Sequence, residues 1–251
     1  MNIRFDGRVV VVSGAGHGFG RAIAHSFADL GATVHGCDLS AEELAETAAG
    51  RDIHTSVVDL TDRAAAAAWI ADVEAQAGRP IYCLVNNAGG VAGQKPHPLE
   101  EVPDADWDRI FAINVGAAMV LSRAAVPGMK RAGEGRVVNI TSGAGLQASL
   151  TGIQAYCSAK HAMVGLTRQL AHEFGQFGIT VNSVAPGFIR TNAATEAQWD
   201  AYGQDGQAAL VERIAMKRLG SAQDIANGVI FFASDLASFV NGQILPVDGG
   251  K

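Results

Sequence analysis

Ser13-Gly14-Ala15-Gly16-His17-Gly18-Phe19-Gly20 decides the fold. Just upstream, Arg8–Ser13 reads Arg-Val-Val-Val-Val-Ser, a short β-branched run of the kind buried in a parallel sheet. Just downstream, Gly20–Leu30 repeats its apolar residues at helical spacing, and Gly31 ends it. A glycine-rich turn between strand and helix lets the backbone come close to a phosphate. The helix N-terminus then offers free N–H groups and a positive dipole end to the anion. The spacing here is Gly-x-x-x-Gly-x-Gly, through Gly14, Gly18 and Gly20, and not Gly-x-Gly-x-x-Gly. As a bare motif such a loop is often only a turn; its place after the first strand marks it as a dinucleotide site.

Outward from this unit, strands and helices alternate. Strands are expected at Thr33–Cys37, Ile53–Val58, Ile81–Asn86, Gly135–Thr141, Ile179–Ala185 and Gln243–Val247. Helices are expected at Ala41–Ala49, Ala64–Ala77, Trp107–Arg131, Ala155–Phe174, Val211–Ile214 and Ala222–Ala233. The expected fold is α/β: a Rossmann-like, doubly wound parallel sheet with helices on both faces, in one domain over residues 1–251.

Composition narrows the function. The 251 residues are 48% hydrophobic and 18% charged, enough for a large core. Net charge is −6, and no Lys/Arg run forms the basic stripe a nucleic acid needs, so no nucleic-acid partner is expected. No apolar run long enough to span a membrane stands out, and Met1–Gly7 has no secretory pattern. Cys37, Cys83 and Cys157 have neither metal-ligand nor disulfide spacing, so no metal is expected and a reducing cytoplasm is the simplest location.

Several residues carry candidate chemistry. Asp38 closes the second strand, 18 positions beyond Gly20. A carboxylate there binds both adenosine ribose hydroxyls and repels a 2′-phosphate, which points to NAD; the alternative is a helix cap, a task Ser40 can also fill. Asp59, with Leu60 beside it, is a candidate adenine contact or the cap of the helix near Asp62. Tyr156 and Lys160 share one helix face at i and i+4. An ammonium beside a phenol favours phenolate, so a lowered Tyr156 pKa is expected. Ser142 closes the strand before that helix, at the sheet edge where ligands bind in such folds.

Read together, these segments resemble the single-domain branch of the short-chain dehydrogenase/reductase family over almost the whole chain. Ser13-Gly14…Gly18-Phe19-Gly20 is similar to its Thr-Gly-x-x-x-Gly-x-Gly loop, and Asn86-Asn87-Ala88-Gly89 to its Asn-Asn-Ala-Gly motif. Asn114, Ser142 and Tyr156-x-x-x-Lys160 match in order, as do Asn182 with Pro186-Gly187 and the ending Val247-Asp248-Gly249-Gly250. Ser13 stands for the usual Thr, His17 for a small or basic residue, and Ser142 lies 14 positions before Tyr156, one more than usual.

The resemblance implies roles. Tyr156 is the general acid or base, Lys160 holds the nicotinamide ribose, Ser142 holds the reacting oxygen, and Asn114 retains a water linking Lys160 to solvent. Thr191 and the backbone of Ile189 meet the carboxamide, after Pro186 and Gly187. Asn87 lines the adenosine ribose, beside Ala88 and Gly89, and Ser13, Gly14, His17, Gly18, Phe19 and Gly20 form the phosphate loop.

The activity so implied is hydride transfer between NAD and a secondary alcohol or ketone. A lid is expected over about residues 188–214. Gln94, His97, Gln147, Gln154, Trp199 and Tyr202 are the candidate substrate contacts; this polar set with isolated aromatics suits a small polyol, sugar or hydroxy acid. The alternative is an NADPH-dependent 3-oxoacyl-thioester (acyl carrier protein) reductase, for which Lys130 and Arg131 are half of a docking patch, with Phe177 where such relatives carry a basic residue. A non-catalytic cofactor sensor is a second alternative. The resemblance also implies a homotetramer, paired through the helices that carry Ala117, Ala118, Met119, Ala162, Met163, Gly165 and Leu166.

Overall fold

The structure is a computed structural model and describes residues 3–251. Met1 and Asn2, which begin the N-terminal stretch read above for a secretory pattern, lie outside the described residues. Seven parallel strands form one sheet in the order β3-β2-β1-β4-β5-β6-β7. They are β1 Val9–Ser13, β2 Thr33–Asp38, β3 Ile53–Val57, β4 Cys83–Asn86, β5 Gly135–Ile140, β6 Ile179–Pro186 and β7 Ile244–Val247. Because β1 and β4 are neighbours, the winding reverses between them, and that reversal opens the crevice in which ligands bind in doubly wound folds.

Helices cover both faces. On one side α1 (Gly18–Asp29), α2 (Ala41–Ala48) and α9 (Ala222–Ala233) bury Ile23, Phe27, Leu44, Ile225 and Val229 against Val10, Val12 and Val34. On the other, α3 (Arg63–Ala77) and α5 (Ala117–Ala132) bury Trp69, Ile70, Val73, Val120, Leu121 and Met129 against Val9, Val11, Leu84 and Val137. The remaining helices are α4 (Asp104–Phe111), α6 (Gln154–Phe174), α7 (Ala193–Ala201) and α8 (Gly203–Glu212). Val10 and Val12 are buried under one helical layer and Val9 and Val11 under the other, which is why β1 is a continuous Val run and not an alternating one.

Three expectations change. The helix expected over Trp107–Arg131 starts at Asp104 and is divided by a wide π turn at Ala112–Gly116, which carries Asn114. Of the helix expected at Val211–Ile214 only Val211 and Glu212 are helical, as the end of α8, which is preceded by α7, whose start is held by an Asn192–Thr195 capping box. The stretch Asp104–Ala132, 29 residues with mean hydropathy 1.6 over its most apolar window, does meet the length and composition of a membrane span. Half of that window is buried, its apolar positions covered by the sheet and by α3.

Candidate active site

The glycine loop follows β1 at the crevice. Ser13 is buried, and its hydroxyl accepts from Asn87 N–H at 3.0 Å and Ala88 N–H at 3.1 Å. The Asn87 amide donates to Ser13 O and Gly14 O, at 3.0 and 2.9 Å. Ser13 and Asn87 thus buckle β1 to β4 and shape the loop from behind, with their side-chain donors taken up by backbone. A Cβ on Gly20 would lie 1.8 Å from Gly14 O, so only glycine fits the crossing of loop and helix. A Cβ on Gly18 would meet Thr191 at 3.2 Å, which brings the segment after β6 against the loop. Gly187 N–H donates to Val247 O at 3.1 Å, anchoring that segment just beyond Pro186. Ile189 is buried and Thr191 half-buried, its N–H held by Thr195 Oγ1 at 2.9 Å. The result is a cradle lined by backbone, of the shape and polarity that fit a dinucleotide pyrophosphate.

At the end of β2, Asp38 accepts from Gly16 N–H at 2.9 Å and Leu39 N–H at 2.7 Å. The cap of α2 is Ser40, accepting from Glu43 N–H at 3.2 Å, so Asp38 is free of that task. Asp59 is not a helix cap either: Asp62 caps α3, while Asp59 accepts from Thr61 N–H and Oγ1–H at 2.9 and 2.7 Å. Those bonds hold its carboxyl below the usual range. Leu60 is buried beneath it. His17 is exposed at the start of α1 and makes no side-chain cap bond, and Phe19 is half-buried against the core.

The second half of the site lies at the ends of β4 and β5. Lys160 is buried on α6 and donates from Nζ to Ile140 O at 3.0 Å. Tyr156, one turn earlier, has its ring centroid 5.7 Å from that nitrogen. A Cβ on Gly89 would meet Asn114 Oδ1 at 2.5 Å and Lys160 Nζ at 3.5 Å, so the Asn-Asn-Ala-Gly segment, the π turn and α6 converge on one point. Asn114 is buried there. It donates to Gly90 O and Ile110 O, both at 2.9 Å, and accepts from Gly90 N–H at 3.0 Å. Ser142, half-buried, accepts from Ala144 N–H at 3.1 Å.

The electrostatics differ from expectation. Burial lowers the Lys160 ammonium to about 8. Burial also raises the Tyr156 phenol above its ordinary value, and a hydrogen bond from Ser142 offsets this only in part. The expected lowering of Tyr156 is therefore absent in the ligand-free site: desolvation penalises the phenolate more than its neighbours stabilise it.

The expected substrate contacts divide. The Gln94 amide donates to Asp106 O and the Gln154 amide to His97 O at 2.8 Å, so each gives one N–H to tie the 91–98 loop to α4 and α6. His97 and Gln147 are exposed. In the lid, Phe188 stacks on Trp199 at 6.1 Å and meets Tyr202 edge-on at 5.9 Å. Phe188, read only as the start of the lid, is its hub; three aromatics within 15 positions of a chain only 6% aromatic were the available signal.

Lys130 and Arg131 lie away from the site in one subunit. Lys130 Nζ sits 4.3 Å from the Phe177 ring, and Arg131 reaches Glu74. Phe174 is 18 positions along α6 from Tyr156, a run of about 27 Å. The expected half-patch is thus at the opposite edge of the sheet, because α5 runs antiparallel to the strands. Of the expected subunit-pairing residues, Ala117, Ala118 and Met163 are buried within the chain, while Ala162, Met119 and Leu166 are half-buried and Gly165 is exposed.

The comparisons agree with this architecture. A family model described as enoyl-(acyl carrier protein) reductase matches residues 14–251. The chain is 36% identical to levodione reductase of Leifsonia aquatica, covering 99% of this chain and 95% of that protein. It is 37% identical to a 3-oxoacyl-[acyl-carrier-protein] reductase of Pseudomonas aeruginosa, covering 98% and 97%. A crystal structure of a putative NAD(P)-dependent gluconate 5-dehydrogenase from Beutenbergia cavernae, with NADP bound at low occupancy, superposes with a TM-score of 0.90 at 38% identity, covering 99% and 98%. The chain belongs to the short-chain dehydrogenase/reductase family and is an oxidoreductase that uses a nicotinamide cofactor.

Proposed function

We propose that the chain is an NAD-dependent dehydrogenase acting at a secondary alcohol or ketone carbon of a small polyol, sugar or hydroxy acid, working as a homotetramer in the cytoplasm. The observation that carries the cofactor choice is the Asp38 carboxylate, fixed 2.9 Å from Gly16 N at the ribose end of the loop. A carboxylate in that position accepts two ribose hydroxyls and repels a 2′-phosphate. The bound nicotinamide supplies the hydride acceptor or donor.

The residues of the chain manage the proton. In the oxidative direction Tyr156 must start as the phenolate, which the Lys160 charge favours; it takes the hydroxyl proton while Ser142 holds the oxygen. In reduction Tyr156 returns the proton to the carbonyl oxygen. Asn114 keeps the π turn and the Gly90 segment in register beside Lys160.

For the substrate, the name of the Beutenbergia protein supports a sugar acid, and the aromatic cluster of Phe188, Trp199 and Tyr202 suits the apolar face of a sugar or ring. A second reading, reduction of a 3-oxoacyl thioester with NADPH, is favoured by the Pseudomonas relative. Asp38 and the remoteness of Lys130 and Arg131 within the subunit weigh against it. The deciding assay compares oxidation of polyols, sugars and sugar acids by NAD with reduction of acetoacetyl thioester by NADPH. Turnover of the first group supports the proposal; efficient thioester reduction with none of the first overturns it.

A further inference from the structure

Gly16 is held from two sides. Its N–H binds Asp38, and its carbonyl is gripped by residues outside the glycine motif. Arg21, on α1, donates to Gly16 O from Nε at 2.9 Å and also from its terminal nitrogen. Thr47, fully buried in the last turn of α2, lies with its hydroxyl 2.9 Å from Ala15 O, 3.1 Å from Gly16 O and 3.0 Å from Glu43 O. The same hydroxyl accepts from Arg21 Nε at 3.0 Å. Arg21 also reaches Glu43 O at 3.2 Å and Glu46 at 2.8 Å, and His25 Nε2 lies 2.8 Å from Thr47 O. A helical threonine ordinarily returns its hydroxyl to the carbonyl four residues back; here it also reaches two loop carbonyls in another part of the chain.

We propose that Thr47 and Arg21 are positioning residues for the dinucleotide: they lock the Ala15–Gly16 backbone so that Gly16 N–H aims the Asp38 carboxylate at the adenosine ribose. With Gly16 N–H and Leu39 N–H each on one carboxylate oxygen, both oxygens keep a lone pair with which to accept a ribose hydroxyl. Loosening Gly16 frees the carboxylate to turn. The favoured cofactor then binds more weakly and is distinguished less sharply from its 2′-phosphorylated form. The direction of that discrimination rests on the NAD reading above; the loss of dinucleotide affinity does not.

The test measures NADH and NADPH dissociation constants by fluorescence titration, with steady-state kinetics and ligand-free melting, for wild type, Thr47→Val, Thr47→Ser and Arg21→Gln. Thr47→Val keeps the shape and removes the hydroxyl. It should weaken NADH binding about fivefold to tenfold, the scale of one buried hydrogen bond, and narrow the NADH/NADPH ratio by at least about threefold. KM for NAD should rise in step, while kcat at saturating NAD changes less than about twofold, because Tyr156 and Lys160 lie in the other half of the site. Thr47→Ser should restore both constants, and Arg21→Gln should reproduce the Val variant should that variant fail to fold. Wild-type constants and ratio in folded Thr47→Val, or in Arg21→Gln, would overturn the proposal, as would a loss confined to kcat or one that Thr47→Ser does not rescue. A wild-type preference for NADPH would instead defeat the NAD reading, while a weakened dinucleotide affinity in the variants would still uphold the clamp.

Discussion

Replacing Lys160 by Met should make the ligand-free protein more stable at neutral pH while removing most of its activity. Lys160 is 4% exposed, and burial alone brings its ammonium from 10.5 to about 8. That lowering corresponds to about 3 kcal/mol of destabilisation when the group is charged in both states. The unfolded chain binds the proton more tightly, so the penalty is complete below pH about 8 and disappears as pH rises towards about 10.5. Met removes the charge but leaves Ile140 O without its donor, which costs about 1 kcal/mol. The net gain is about 2 kcal/mol, or a Tm higher by about 4–8 °C for a chain of this size. Thermal and urea unfolding at about pH 7 and about pH 9.5 reads both the gain and its pH dependence, and the gain should shrink by about 2 kcal/mol at the higher pH. A variant less stable at neutral pH, or a gain indifferent to pH, would show that Lys160 is not a charge held at the expense of stability.

Tyr156→Phe should lower kcat by about 10²–10⁴-fold while leaving NADH affinity within a factor of about two, since only the proton-transfer oxygen is removed; single-turnover kinetics and fluorescence titration check it. Gly20→Ala should abolish NADH binding and destabilise the fold by about 1–3 kcal/mol, because its Cβ would fall 1.8 Å from Gly14 O; retained binding with an unchanged melt would show that the loop is not as tight as described. Light scattering at micromolar concentration should give four times the 26.0 kDa chain mass; a monomer would remove the assembly from the account.

The alternating layers were legible because each strand and helix carries its own period. The Val run of β1 announces a buried strand, and the paired Tyr156 and Lys160 announce one face of α6. The π turn was hidden, because the weak helix formers in Ala112–Gly116 do not by themselves tell a widened turn from an ordinary one; in the fold Asn114 there bonds back to Ile110 O. Helix α7 was read as lid loop, since none of its residues is buried and its start depends on the Asn192–Thr195 cap. Motif order named candidate residues for the site, but not their hydrogen bonds. Nothing local in the sequence says that Gln94 and Gln154 bind backbone carbonyls, or that Thr47 reaches from α2 to Ala15 across 32 positions. The Tyr156 pKa went the other way for the same reason: spacing shows a neighbouring charge, and burial appears only once the chain is folded.

The choice of NAD is read from the ratio of kcat/KM for NAD to that for NADP, measured on the wild-type enzyme with one secondary alcohol it turns over. Asp38, held by Gly16 and Leu39, predicts a ratio of at least about 10² in favour of NAD, the scale of a like-charge contact with a 2′-phosphate at close range. A ratio near one, or a preference for NADP, would contradict it.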